Sequence, residues 1–167
     1  MRRSSLWNIL VLISASLTTL CTARAGEIDR AWIRGIYTGG SPRPIALSEP
    51  EAWQRASDLA AHTPGAFVLV GTGESMQPLY QPNTILVLQQ QPYAKIARGQ
   101  TAIYRSKKKK TVAHVLIAKA RDGWRAAGLN NATHDMEPVV AENLVGVVIA
   151  AFAPQESSPS VQIARRN

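Results

Sequence analysis

Cysteine is almost absent from this 167-residue chain, where Cys21 stands alone. A single thiol excludes an intramolecular disulfide and any cysteine-based metal site. Histidine is nearly as scarce: His62, His114 and His134 are scattered without ligand spacing, so neither a metal nor a cofactor is expected. Acidic residues are missing from residues 1–25, which hold Arg2, Arg3 and Arg24. Those three charges belong to a formal total of +8, which leaves +5 on the remainder. Four of the remaining positive charges form one run, Lys107 to Lys110. No stripe of base-stacking aromatics accompanies it, so nucleic-acid binding is not expected. The run reads most simply as a solvated hairpin tip, and its charge would also suit an anionic membrane surface. No internal repeat is present, and no apolar run reaches the ~20 residues of a spanning helix.

The longest such run, Leu6 to Leu20, contains only small, apolar or hydroxyl residues plus Asn8. It follows Arg2-Arg3 and precedes Ala23-Arg24-Ala25. Positive start, short apolar centre and Ala-x-Ala site are the layout of a secretory signal peptide, expected over residues 1–25 with cleavage after Ala25. A short uncleaved anchor is the alternative, and either way the rest of the chain is exported. Residues 26–65 are expected to form a loose arm, with Gly39-Gly40-Ser41-Pro42, and then a helix. Ser48-Glu49-Pro50-Glu51 is a capping box with Pro in the first turn. Ala52, Ala56, Leu59 and Ala60 fall on one helical face, and Thr63-Pro64-Gly65 ends the helix.

From residue 66 the pattern changes to strands. Ala66–Val70, Thr84–Leu88, Gln100–Tyr104, Thr111–Ala118, Trp124–Ala127 and Asn143–Phe152 are apolar runs separated by turn formers. Asp122-Gly123 marks a hairpin. The expected fold is mainly β, an antiparallel barrel-like domain over residues 66–153 with one N-terminal helix. A polar tail, residues 154–167, is expected to be disordered.

The stretch Gly73-Glu74-Ser75-Met76-Gln77-Pro78 follows the first strand. Gly71 and Gly73 permit sharp backbone geometry, while Pro78 fixes its own φ and pushes Gln77 toward an extended conformation. A serine held there is placed to be a nucleophile, or it belongs to an ordinary turn. Serine needs a base. His114, in the middle of a mostly apolar strand, is a candidate base or a core residue. His62 sits at a helix end, where its charge suits a C-terminus. The loop Gly128-Leu129-Asn130-Asn131-Ala132-Thr133-His134-Asp135 is rich in turn formers. Its Asp135 is a candidate to orient His114 and stabilise its cationic form, as in serine-histidine-aspartate hydrolases.

These segments, in their order, resemble type I signal peptidases. Ser75-Met76-Gln77-Pro78-Leu79 is similar to the nucleophile box Ser-Met-x-Pro-Thr-Leu. Arg98-Gly99-Gln100-Thr101-Ala102-Ile103-Tyr104 resembles the Gly-Asp-Ile-Val strand, and Val112-Ala113-His114-Val115 the box of the general base. Gly128-Leu129-Asn130-Asn131 with Asp135 is similar to the Gly-Asp-Asn-Asn loop, and Glu142-Asn143-Leu144-Val145-Gly146 to the closing Glu-Asn-Leu-Val-Gly strand. The set spans roughly residues 66–152. The histidine at the base position resembles the branch typical of archaea and the endoplasmic reticulum. The resemblance implies a serine endopeptidase at the outer face of the cytoplasmic membrane or in the periplasm. Ser75 would attack the peptide bond, His114 would be the base and Asp135 its support. Gly73, Met76, Pro78 and Asn130 would form the substrate-binding and oxyanion surroundings. The implied partner is an exported precursor polypeptide with small residues before the cut, bound as an added strand.

An ordinary histidine is largely neutral near pH 7, so it needs less desolvation than a lysine base. Lys119 and Lys95 are fallback bases. Lys119 lies an odd number of residues beyond His114, which on a regular strand points it to the opposite face. The chain departs from the family where Leu129 and Gln100 replace aspartates and Val115 replaces an arginine. Two readings therefore stand: a divergent, minimal peptidase, or a non-catalytic relative that binds extended peptides or supports an envelope assembly. A self-cleaving repressor-type domain is disfavoured, because that group uses a lysine base and follows a helix-turn-helix.

Overall fold

The computed structural model describes residues 35–155. The expected signal peptide and the tail beyond Gln155 lie outside the described residues. The described elements run β1 (Ile45–Ser48), α1 (Glu49–His62), β2 (Ala66–Val70), β3 (Ile85–Gln89), a 3-10 turn (Tyr93–Lys95), β4 (Thr101–Arg105), β5 (Thr111–Ala120), β6 (Gly123–Ala127) and β7 (Leu144–Gln155). Seven strands join one sheet: six run in the order β2-β3-β7-β4-β5-β6, and β1 joins off this path by pairing with β7. Every pairing along this path is antiparallel. The fold is therefore mainly β with one N-terminal helix, as the alternating runs and turn signals indicate. The sheet stays open: β2 and β6 end it and do not pair with each other.

β7 organises the sheet because it is long enough to take three partners. At Val147 it pairs with both Gln89 of β3 and Ala102 of β4, so these lie on opposite edges. At Phe152 it pairs with Ile85 of β3 and Ile45 of β1. β4 and β1 thus share one edge of β7, and β1 is its parallel partner. β3 and β7 carry continuous apolar runs because both their faces are covered. Leu86 and Leu88 of β3 face Met76, Tyr80, Ile103 and Val148. Ile85 and Val87 face Ala52 and Ala56 of α1 on the other side. Fully burying such a side chain is worth about 1.5–3 kcal/mol, so these central strands are the firm part of the domain.

The helix starts where the sequence indicates. The Glu51 carboxylate accepts the Ser48 hydroxyl at 2.7 Å and the Ser48 N–H at 3.3 Å. This capping holds the Glu51 carboxyl below the usual range. Only small side chains line the buried stripe, whereas Leu59, expected on it, is 36 % exposed.

The arm departs from its expected looseness. Ile45–Ser48 is a strand, and the segment before it is pinned. The buried Ser41 hydroxyl donates to Gly99 O at 2.8 Å and lies 2.8 Å from Thr101 Oγ1. Tyr80 donates its phenol proton to Pro42 O at 2.8 Å. The Gly-Gly-Ser composition reads as flexible, but here small residues permit close approach. A Cβ on Gly40 would lie 3.0 Å from Gln100 N. The lysine run does form the β4–β5 hairpin tip, with Ser106 N–H donating to Lys110 O at 2.9 Å.

Candidate active site

Two strand ends and one loop meet at an open margin of the sheet. Among the described residues β2 pairs only with β3, so none of them covers its other edge. β6 pairs with β5 only from Val115 onward, which leaves the Thr111–His114 edge of β5 unpaired among the described residues. Between these edges lies a cleft of about 490 Å³. Leu69 and Gly73 line one side, Thr111 and His114 the other, and Met76 and Ile103 contribute apolar surface.

Ser75 is presented by a turn anchored in the core. Gly71 N–H donates to Thr84 O at 2.9 Å and extends the β2–β3 ladder toward the turn. Beyond it, Gln77 N–H donates to Glu74 O at 3.1 Å and Tyr80 N–H to Met76 O at 3.0 Å. Met76 and Tyr80 are 4 % and 3 % exposed, so their side chains hold both ends of this turn in the interior. Burial pushes the Tyr80 phenol up to about 12. The Gln77–Pro78 peptide is cis.

His114 is fixed by the sheet. Its cross-strand partner is Ala102 and the next pair on the same face is Tyr104 with Val112, so His114 and Tyr104 are diagonal neighbours. Asp135 arrives from the loop after β6, where its N–H donates to Ala126 O at 2.8 Å. His114 Nδ1 donates to Asp135 Oδ2 at 2.6 Å, and His114 Nε2 lies 3.0 Å from Ser75 Oγ. A carboxylate only accepts, so the Asp135 contact places the neutral ring's proton on Nδ1. Nε2 is then the free lone pair, and it faces the serine hydroxyl. This is the order nucleophile, base, orienting acid that activates serine.

The other expected residues take several places. Gly73 lines the cleft with nothing within 4 Å of where a Cβ would stand. Met76 lines the cleft from within the core. Asn130 braces the Ser75 turn: its N–H donates to Ser75 O at 2.8 Å and its Nδ2 to Glu74 O at 3.3 Å. Pro78 faces a separate hollow of about 720 Å³, which also touches Arg43, Leu79 and Leu129 and holds none of Ser75, His114 and Asp135. His62 is a helix-end residue whose Nδ1 donates to Asp58 O at 2.7 Å. Lys95 sits in the exposed 3-10 turn, away from the cleft. Lys119 also lies elsewhere, with Nζ 5.9 Å from the Trp124 ring centroid. Its placement does not follow simple alternation, because the β5–β6 register shifts between Leu116 and Ala118.

The departures from the family motifs have local roles. Leu129 packs on the Met76 cluster and Val115 is wholly buried in it. The Gln100 side-chain oxygen accepts Ala97 N–H at 2.7 Å. Two residues of the site were not singled out in the sequence. Gly128 approaches the nucleophile turn so closely that a Cβ would lie 2.7 Å from Ser75 O. Tyr104 donates its hydroxyl to Asp135 Oδ2, the oxygen that also receives His114. Burial first, then the Asp135 hydrogen bond and the Asp135 and Glu137 charges, push the Tyr104 phenol far above its ordinary value. Its strand also holds Thr101 and Arg105, so a polar-tipped residue there carried little signal.

Among the described residues no three of His, Cys, Asp and Glu are grouped to hold a metal, and no helix is long and apolar enough to cross a membrane. No protein-family model matches the chain, and no curated protein matches it in sequence.

Proposed function

We propose that this chain is an exported serine endopeptidase similar to signal peptidase I, cutting after small residues in an exported precursor. The observation that carries the reading is the hydrogen-bonded series from Ser75 Oγ to His114 Nε2 at 3.0 Å and from His114 Nδ1 to Asp135 at 2.6 Å. In the reaction, Ser75 Oγ bonds to the peptide carbonyl carbon as His114 Nε2 takes its proton. The C–N bond then breaks, and His114 returns that proton to the leaving amine. Water attacks the acyl-serine with His114 again as base, which releases the acid and restores Ser75. Asp135 holds the imidazole and balances its charge while it is protonated. The Ser75 N–H donates to no acceptor among the described residues, so it is free to meet the developing oxyanion.

The unpaired edges of β2 and of Thr111–His114 flank the cleft, so an extended peptide finds main-chain partners there. A non-catalytic peptide binder would have Ser75 and His114 beyond hydrogen-bond reach, so the contact favours the enzyme. The exposed Lys107–Lys110 tip adjoins Thr111 at the cleft margin, and an anionic membrane surface beside the cleft suits an enzyme acting on emerging precursors. The test is a cleavage assay on the full chain in detergent, with a precursor peptide carrying an Ala-x-Ala site. Cleavage after the second alanine that is lost in both Ser75→Ala and His114→Ala supports the proposal. Equal cleavage by parent and variants rejects it.

A further inference from the structure

The hydroxyl of Tyr104 sits in a place that packing alone does not require. Its ring is 2 % exposed and packs among Ala102, Leu116, Trp124, Val139 and Val147. A phenylalanine would satisfy those contacts equally. The hydroxyl instead reaches Asp135 Oδ2, the oxygen that accepts His114 Nδ1–H at 2.6 Å. β4 and β5 set this up, because the Ala102–His114 and Tyr104–Val112 pairs make the phenol and the imidazole diagonal neighbours facing one loop. We propose that Tyr104 is a positioning residue of this site: its hydroxyl orients the Asp135 carboxylate and moderates its pull on His114. The inference rests on the peptidase reading only for its kinetic consequences, since the contact itself does not depend on the substrate.

An oxygen shared by two donors gives each a weaker bond than it would give one alone. Without the phenol, Asp135 is free to rotate and its negative charge falls wholly on the imidazole. A protonated imidazole is then better stabilised. The charged and titratable groups facing this pair are few. His114 comes from β5 and Tyr104 from β4. The loop brings His134, whose buried ring donates Nδ1–H to Asp135 O at 2.7 Å, and Glu137, whose charge reaches the phenol. Glu137 is itself engaged by the Lys107 N–H at 2.7 Å. The donors seen on Asp135 Oδ2 are the Tyr104 hydroxyl and His114 Nδ1–H.

The test compares the parent with Tyr104→Phe and with 3-fluorotyrosine placed at position 104, using the full chain in detergent. The fluorinated phenol is a stronger donor of the same shape. Two readouts are followed: the proton resonance of His114 Nδ1–H, and the acid limb of the kcat/KM profile for the Ala-x-Ala peptide. In Tyr104→Phe the resonance moves downfield and the acid limb of the profile moves to higher pH, with kcat lower and KM little changed. In the fluorinated protein both move the other way. A merely structural role would lower the thermal midpoint and leave the resonance and the limb in place, which overturns the proposal. If Tyr104→Phe does not fold, the fluorotyrosine protein decides alone, and an unmoved resonance there rejects the inference. A parent that cleaves no peptide while its resonance still responds to position 104 rejects the peptidase reading and leaves the coupling standing.

Discussion

Replacing Gly128 with alanine should disable the site while leaving the fold in place. The glycine is not needed for an unusual backbone angle, since its φ does not lie in the left-handed region. What it supplies is space. A Cβ there would lie 2.7 Å from Ser75 O, some 0.7 Å short of the 3.4 Å at which ordinary contact begins. The Asn131 side chain, at 2.8 Å, could swing away, but the nearest atom, Ser75 O, is backbone and cannot. The loop cannot simply retreat either. Asn130 N–H donates to the same Ser75 oxygen at 2.8 Å, and Asn130 Nδ2 donates to Glu74 O at 3.3 Å. The strain therefore falls on the nucleophile turn. A shift of about 0.7 Å would open the 3.0 Å Ser75–His114 contact beyond hydrogen-bond reach. A misplacement of about 1 Å costs on the order of 10²-fold in rate, so kcat should fall by about that factor in Gly128→Ala. Overpacking at this site should cost about 1–3 kcal/mol of stability, well short of unfolding a domain held by β3 and β7. Steady-state cleavage kinetics beside urea denaturation would check both figures. A Gly128→Ala protein with the parent's kcat and stability would refute the reasoning.

Three further outcomes are expected. Asp135→Asn keeps the shape but removes the charge behind His114, so kcat should drop by about 10²–10⁴-fold with little change in thermal midpoint, read by cleavage kinetics and calorimetry. Ser41→Ala strips the buried Gly99 carbonyl of its Ser41 donor and Thr101 of one partner, so urea denaturation should show a loss of about 1–3 kcal/mol. Tyr80 ionises near 10 when unfolded and at about 12 when folded, so its contribution is complete below pH 10 and is lost as pH rises toward 12. That amounts to about 2–3 kcal/mol of stability, and urea titrations at pH 9 and 11.5 should show the fall, with a shallower fall in Tyr80→Phe.

Much of the fold was legible because its signals are local. The Ser48 to Glu51 cap, the Asp122-Gly123 turn and the apolar runs of β3 and β7 each declare an element within a few residues. β1 was not legible. Four residues pairing in parallel with the far end of β7 leave no local pattern, and the glycines before them suggest freedom rather than close packing. Ser75, His114 and Asp135 could be named from residue types and order. Their assembly depends on where β6 stops along β5, which leaves the edge beside His114 open, and on a loop tied to Ser75 by Asn130. Tyr104 could not be distinguished from any other buried tyrosine, because its role comes from a register, not a spacing.

Ser75 is claimed to be a nucleophile that His114 activates, and covalent labelling can read this without knowing the substrate. The full chain would be treated with a serine-reactive fluorophosphonate at neutral pH, and the adduct located by peptide mass spectrometry in parent and His114→Ala proteins. A single adduct on Ser75 in the parent, with its rate of formation lowered by about 10²-fold or more in His114→Ala, is the expected result. An unlabelled Ser75, or one labelled equally fast without His114, would contradict the claim.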